Sequence, residues 1–222
     1  MPKSHSVPVA KAEILQEYGP FPEATQAHGV TFDGSLAWVA TGTHLQSFDP
    51  KTGQPGQRLP VASDAGTAFD GRHFFQLTAG VIQKLDPKTG RVLSTIPAPG
   101  KGRDSGLAWA EGMLWVGQHR DRKIYGVDPD SGEVLRTIES DRFVTGVTWV
   151  DGELWHGTWE GEESELRRVE PTTGEVLERI EMPKDTMISG LESDGRDSFF
   201  CGGGNSGKVR RLRRPPRRPP AA

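Results

Sequence analysis

Apolar residues in this chain fall into short runs, and glycine, proline or an acidic residue followed by glycine cuts each run off. The longest stretch free of both Gly and Pro is Glu133 to Thr145. Few helices of ordinary length fit between such breaks, so the pattern predicts an all-β chain.

The runs repeat. Glycine, then two or three mostly apolar residues, then Asp/Glu-Gly occurs as Gly29-Val30-Thr31-Phe32-Asp33-Gly34 and Gly66-Thr67-Ala68-Phe69-Asp70-Gly71. It returns as Gly106-Leu107-Ala108-Trp109-Ala110-Glu111-Gly112, Gly146-Val147-Thr148-Trp149-Val150-Asp151-Gly152 and Gly190-Leu191-Glu192-Ser193-Asp194-Gly195. The spacing, roughly 40 residues, is that of propeller blades. A second motif follows the first four copies: Asp49-Pro50-Lys51-Thr52-Gly53, Asp86-Pro87-Lys88-Thr89-Gly90, Asp128-Pro129-Asp130-Ser131-Gly132 and Glu170-Pro171-Thr172-Thr173-Gly174.

Each unit reads as four strands. Strand A is the Gly-Val-Thr-Trp type segment, and the acidic-Gly pair after it is a hairpin turn. Strand B carries aromatics, as in Leu114-Trp115-Val116. Strand C ends at the Asp-Pro-x-Thr-Gly turn, where Pro fixes φ and Gly supplies a positive φ. Strand D is the Val-Leu-x-x-Ile run at Val92 to Ile96, Val134 to Ile138 and Val176 to Ile180. The fifth unit lacks strand D, while Ala12 to Gln16 reads as a D strand ahead of the first A strand. The prediction is a five-bladed β-propeller of four antiparallel strands per blade, closed by the N-terminal strand. Residues 1–11 form an N-terminal arm, 12–213 the propeller domain, and 214–222 a basic tail.

Composition narrows the function. The net charge is −3 with 26% charged residues, which excludes a generally basic nucleic-acid binder and a disordered acidic chain. No apolar run is long enough to span a membrane, and Met1 to Ala12 has no signal-peptide pattern. The one cysteine, Cys201, fits a reducing compartment, so the expectation is a cytoplasmic protein. Lys208 to Arg218 holds seven basic residues and no acidic one. Contact of this tail with nucleic acid or an acidic surface is weighed against a solubilising end or a segment folded against the acidic body, and the latter pair is favoured.

Propeller topology puts the starts of the A strands and the ends of the B strands on one face, around the channel mouth. Aligning the repeats there singles out polar or aromatic departures. His28, Asp64 and Asp104 precede the strand A glycines. Gln76, His156 and Cys201 occupy a strand B column that is Val in the other blades, and His119 and Trp159 lie beyond it. Asp64, Asp104 and His156 are the candidate catalytic groups, since a carboxylate and an imidazole can share a proton. His28, Gln76, His119, Trp159 and Cys201 are the candidate ligand-binding residues, with Trp159 as an apolar wall. No cofactor is expected. A metal among His28, His119, His156 and Cys201 stays open, although no local ligand pair of the zinc type supports it. Gly202 to Lys208 matches part of a phosphate-binding loop, but Val209 follows it and no helix does. It reads instead as a B-to-C loop whose glycine amides remain open to a ligand.

Phe74-Phe75-Gln76-Leu77-Thr78, Asp151-Gly152-Glu153-Leu154-Trp155 with Trp159, and Ile188-Ser189-Gly190-Leu191 resemble the plant-type glutaminyl cyclases (glutamine cyclotransferases) over roughly residues 12 to 213. The resemblance implies a five-bladed propeller that converts the N-terminal Gln of peptides to pyroglutamate with loss of ammonia. It also implies a pocket at the channel mouth, with a carboxylate and an Asn near the scissile amide. Gln76 and Trp159 match. Where the family has Glu-Gly-Leu-Thr, this chain has Asp64-Ala65-Gly66-Thr67, with its acid one residue earlier. Where the family has Leu-Asn-Glu-Leu-Glu, this chain has Val144-Thr145-Gly146-Val147-Thr148, without the Asn or the last acid. The expected function is therefore a cyclase-like propeller that binds a small polar ligand or peptide at the mouth without cyclase activity. The alternative is a glutaminyl-peptide cyclotransferase, or another lyase or hydrolase using a pocket carboxylate.

Overall fold

The computed structural model describes residues 7–24 and 26–216. The chain opens with two strands, β1 (Val9–Lys11) and β2 (Ile14–Tyr18). Blade 1 is β3 (Val30–Phe32), β4 (Ala37–Ala40), β5 (Leu45–Phe48) and β6 (Pro55–Leu59). Blade 2 is β7 (Thr67–Phe69), β8 (Phe74–Thr78), β9 (Val81–Leu85) and β10 (Val92–Pro97). Blade 3 is β11 (Asp104–Ala110), β12 (Met113–Gln118), β13 (Lys123–Val127) and β14 (Val134–Glu139). Blade 4 is β15 (Val144–Val150), β16 (Glu153–Glu160), β17 (Glu163–Val169) and β18 (Val176–Glu181). Blade 5 is β19 (Gly190–Ser193), β20 (Ser198–Gly202), β21 (Val209–Arg213) and β2. The chain is thus a five-bladed β-propeller of antiparallel four-stranded blades, with β1 added to blade 4.

Closure follows the sequence pattern. β2 lies antiparallel to β21, with Tyr18 opposite Val209 and Ile14 opposite Leu212. The closing strand starts two residues later than the run of apolar residues suggests. The amide of Ala12 still donates to the carbonyl of Glu181 (2.8 Å), so the chain has not yet left blade 4 at that point. Before it, β1 runs parallel to β18, an additional strand on that blade's outer edge.

The turn motifs do what their residues dictate. In the Asp86 turn, Gly90 has a φ of 72° and its amide donates to the Asp86 carbonyl (2.9 Å). The Asp86 carboxylate accepts the amides of Lys88 and Thr89. Both ends of the turn are therefore satisfied locally, and four copies of the motif end four C strands alike.

The core is divided by blade. Five apolar clusters each fill the gap between two neighbouring sheets. One aromatic pair marks each gap: Trp38 with Phe74, Phe75 with Trp109, Trp115 with Trp149, Trp155 with Phe199, and Phe200 with Phe32. Their ring centroids lie between 4.9 and 5.8 Å apart, within the range in which aromatic pairs attract. Five of the six tryptophans are thus packing residues, and Trp159 stands outside this set.

Candidate functional site

The five A strands meet around the axis, and their repeat glycines form a ring. A Cβ on Gly29 would collide with blade 2 backbone at Ala65 and Thr67. One on Gly66 would meet Leu107, one on Gly106 would meet Thr145 and Val147, one on Gly146 would meet Leu191, and one on Gly190 would meet His28. The glycine that opens each repeat is therefore the residue that lets five backbones converge. This ring is the waist of the channel, and it divides the mouth from the lower half.

On the mouth side lie two of the carboxylates singled out from the sequence. Asp64 and Asp104, from neighbouring D-to-A connections, line one cavity of about 90 Å³ with Thr78, Gly80 and Gly102. Asp104 Oδ1 accepts the Gly100 amide at 2.8 Å. Its Oδ2 is buried with no well-formed hydrogen bond among the described residues, although the amides of Gly102 and of Asp104 itself act on the carboxyl and favour its ionised form. Burial pushes the Asp104 carboxyl above the usual carboxylate range. His28 is half-buried nearby; burial pulls its imidazole below the ordinary value while the Asp64 carboxylate works the other way. No hydrogen bond joins His28, Asp64 and Asp104 among the described residues, so they form an open constellation.

The remaining candidates lie elsewhere. Gln76 is fully buried, and its amide nitrogen donates to the carbonyls of Ala65, Gly66 and Leu77 (2.8 to 3.3 Å). It holds the start of strand A in place behind the Asp64 cavity. Cys201 is packed in the apolar cluster between blades 4 and 5, and burial raises its thiol pKa far above the usual value. His156 is 1% exposed, with Nδ1 3.1 Å from the Gly157 carbonyl. Burial lowers its pKa to about 4, and the charges that act on it are Arg167, Asp141 and Glu165. Its electrostatic surroundings are thus the ion network of blade 4, away from Asp64 and Asp104. His119 stacks on Phe143 at 4.7 Å, and the Arg122 guanidinium covers that ring at 4.9 Å. Trp159 is 36% exposed at the tip of the β16–β17 hairpin.

The glycine loop corrects one expectation. Its amides are not open to a ligand. Gly203 donates to Lys208, Gly204 to Ala27 and to Ser189 Oγ, Ser206 to Gly203, and Gly207 to Gly204. Most of these donors close the loop on itself, and Gly204 fastens it to Ala27 ahead of blade 1.

Below the waist is a carboxylate that the aligned mouth columns missed. Glu192 stands two residues after its repeat glycine, where the other blades have Thr31, Ala68, Ala108 and Thr148. Its Oε2 accepts Thr31 Oγ1 (3.0 Å), and its Oε1 accepts Thr148 Oγ1 (2.7 Å) and the Ser193 amide (2.8 Å). It ties blades 4, 5 and 1 together across the channel. Desolvation raises its pKa to about 7 against those hydrogen bonds. The departure from Thr or Ala in this column was the available signal.

The basic segment is anchored at its start. Arg214 is 5% exposed and pairs with Asp151 (2.6 Å) and Glu153 (2.8 Å) of blade 4. Lys208 and Arg210 pair with Glu17, Arg211 with Asp194 and Arg213 with Glu13, so the described part of the basic run lies against acidic residues of the propeller, and residues 217–222 lie outside the described residues. No group of three or more His, Cys, Asp or Glu residues is arranged to hold a metal among the described residues. None of their helices is long and apolar enough to cross a membrane.

The architecture is that of a five-bladed β-propeller. The crystal structure of Myxococcus xanthus glutaminyl cyclase superposes with a TM-score of 0.76 at 18% identity, covering 94% of this chain and 98% of that one. The WD40 propeller domain of Doa1 superposes less well, with a TM-score of 0.53 at 18% identity over 82% of this chain and 62% of that one. At this identity the likeness is one of fold. No protein-family model and no curated protein sequence matches the chain.

Proposed function

We propose that the protein binds a small amine-bearing ligand, such as the free N-terminus of a short peptide, at the channel mouth without cyclising it. The observation that carries this reading is Asp104 Oδ2, a buried carboxylate oxygen with no well-formed hydrogen bond, in a cavity it shares with Asp64. A buried acceptor left unmet costs about 1–3 kcal/mol, and an ammonium donor recovers that cost while neutralising the paired carboxylates. An anion would gain nothing there. Ala65 and Thr145 precede the repeat glycines where the resemblance calls for the cyclase Glu and Asn, so neither group is available to act on a scissile amide.

Calorimetric titration with glutaminyl-alanine amide and with its N-acetylated form tests the reading. The free amine should bind, the acetylated form should not, Asp104→Asn should weaken binding tenfold or more, and no ammonia should be released. Equal binding of the acetylated form would overturn it. A second reading, catalysis by a mouth carboxylate, has one observation in its favour: burial pushes Asp104 up and His28 down, which brings their proton affinities toward each other. Ammonia release that disappears in Asp64→Asn would establish that reading instead.

A further inference from the structure

Blade 4 carries more than its repeat share. Its B and C strands have 8 and 7 residues, against 4 to 6 for the B strands and 4 or 5 for the C strands of the other blades. The β16–β17 hairpin therefore extends past its neighbours on the mouth face. Glu160 braces this extension against blade 3, accepting the Phe143 amide (3.1 Å) and pairing with Arg122 (3.0 Å). The other edge of the same blade carries β1, with Lys11 opposite Glu181.

A cavity of about 400 Å³ opens beside the extension. Its wall has a built polar centre. Ser164 is 6% exposed, and its Oγ has no partner among the described residues. Glu165 is 3% exposed and holds Arg167 (2.6 Å) and Arg179 (2.6 Å), with Arg142 at 3.8 Å. Met182, also buried, supplies an apolar patch. At the rim Lys184 pairs with Glu162 (3.1 Å) and Arg142 with Glu163 (3.4 Å). The Glu181 carboxylate lines the same cavity and has no ionic or hydrogen-bonded partner among the described residues, with Lys11 opposite it in the β1–β18 pair. The lining holds four carboxylates and three cations, with Arg167 behind it as a fourth cation on Glu165, so Glu181 is the lining carboxylate without an ion pair.

We infer that this cavity is a second binding site, for a small zwitterion whose guanidinium or ammonium group pairs with Glu181 and hydrogen-bonds to Ser164 Oγ. The ligand's carboxylate then faces the ammonium of Lys184, which is 75% exposed, and the edge of Arg142. Two facts fix this assignment. Glu181 is the lining carboxylate without an ion pair, so the primary attraction at that end is for a cation. The neighbouring guanidinium and ammonium groups oppose a purely cationic ligand, so an anionic end must accompany it. A volume of about 400 Å³ falls in the range of small-molecule sites. This site stands apart from the mouth cavity and does not depend on the reading given for Asp104.

The probe is L-arginine, titrated calorimetrically into the full chain at low salt, with putrescine and glutarate as one-signed controls. Arginine should bind saturably and at least tenfold more tightly than either control. Glu181→Gln, an exposed substitution that leaves the fold intact, should weaken it tenfold or more. Ser164→Ala should weaken it by about threefold, while Asp104→Asn should leave it unchanged. Binding that survives Glu181→Gln undiminished, or that is lost in Asp104→Asn, would overturn the assignment. Glutarate binding as tightly as arginine would also overturn it.

Discussion

The two sides of the glycine ring handle carboxylates in opposite ways. Below it, Glu192 has each oxygen met by donors from blades 4, 5 and 1. Above it, Asp104 has one oxygen met by the Gly100 amide and the other without a well-formed hydrogen bond, with only the Gly102 and Asp104 amides acting on the carboxyl beside it. Both groups are desolvated, and both hold their protons more tightly than usual. What separates them is spare acceptor capacity. A carboxylate with its hydrogen bonds filled is a structural tie, whereas one with an oxygen to spare awaits a donor.

The largest way to break this contrast is to open the ring itself. Removing residues 1–18 strips β2 from blade 5 and β1 from blade 4, leaving an unpaired edge and an uncovered core. The melting temperature should fall by ~10 °C or more, given the stability that one strand contributes in a domain of this size. An unchanged melting temperature would show that closure contributes little.

A smaller intervention acts at the waist. In Gly146→Ala the new methyl lands on the backbone of Gly190 and Leu191, which cannot move without displacing blade 5. Overpacking of this kind costs about 3 kcal/mol, read as a shift in denaturant midpoint.

The lower channel can be separated from the blade 4 interior by pH. The Glu192 carboxyl ordinarily titrates near 4.5 and in the fold at about 7, so between these values the folded state holds an extra proton. Its contribution to stability therefore falls as pH rises through that window. His156 ordinarily titrates near 6.5 and in the fold at about 4, so there the unfolded state holds the extra proton. Its contribution rises with pH over that range. From pH 4.5 to 6.5 the two slopes oppose each other. Glu192→Gln should expose stability that rises with pH across this interval, and His156→Gln stability that falls. Each slope is about 1.4 kcal/mol per pH unit at most. Identical pH profiles in both variants and wild type would contradict the assignment of either group.

The smallest effect is expected at the mouth. Asp104→Asn keeps an oxygen for the Gly100 amide and removes a desolvated charge. Stability at pH 7 should stay level or rise by about 0.5 kcal/mol, even as ligand binding is lost. Destabilisation beyond about 1 kcal/mol would mark Asp104 as a structural residue like Glu192.

Most of the fold was legible because its determinants are local. The Gly90-type turns, the acidic-Gly hairpins and the complementary ends of the chain each depend on a few neighbouring residues, repeated. β1 was not legible, since three exposed residues gain their structure only from the edge of β18. Asp64 and Asp104 could be found because they stand in the columns next to the repeat glycines. The surroundings of His156 could not, because Arg167 reaches it from the neighbouring strand β17 and Asp141 from the loop ahead of β15. That the basic segment could fold against the acidic body was legible from charge, but the partners of Arg214 were not, because Asp151 and Glu153 lie some sixty residues earlier in the sequence. Glu192 was visible as a departure from its own column, but it sits on the far side of the waist from the columns compared.

The most direct measurement is an NMR titration of the Asp104 side-chain carboxyl carbon, with and without glutaminyl-alanine amide. In the free protein it should titrate above the ordinary aspartate value of 3.8. With the peptide bound, the ammonium should pull that midpoint down, because a cation at Oδ2 favours the ionised form. A midpoint at the ordinary value in the free protein, or one that saturating peptide leaves in place, would contradict the account of the mouth as an amine site.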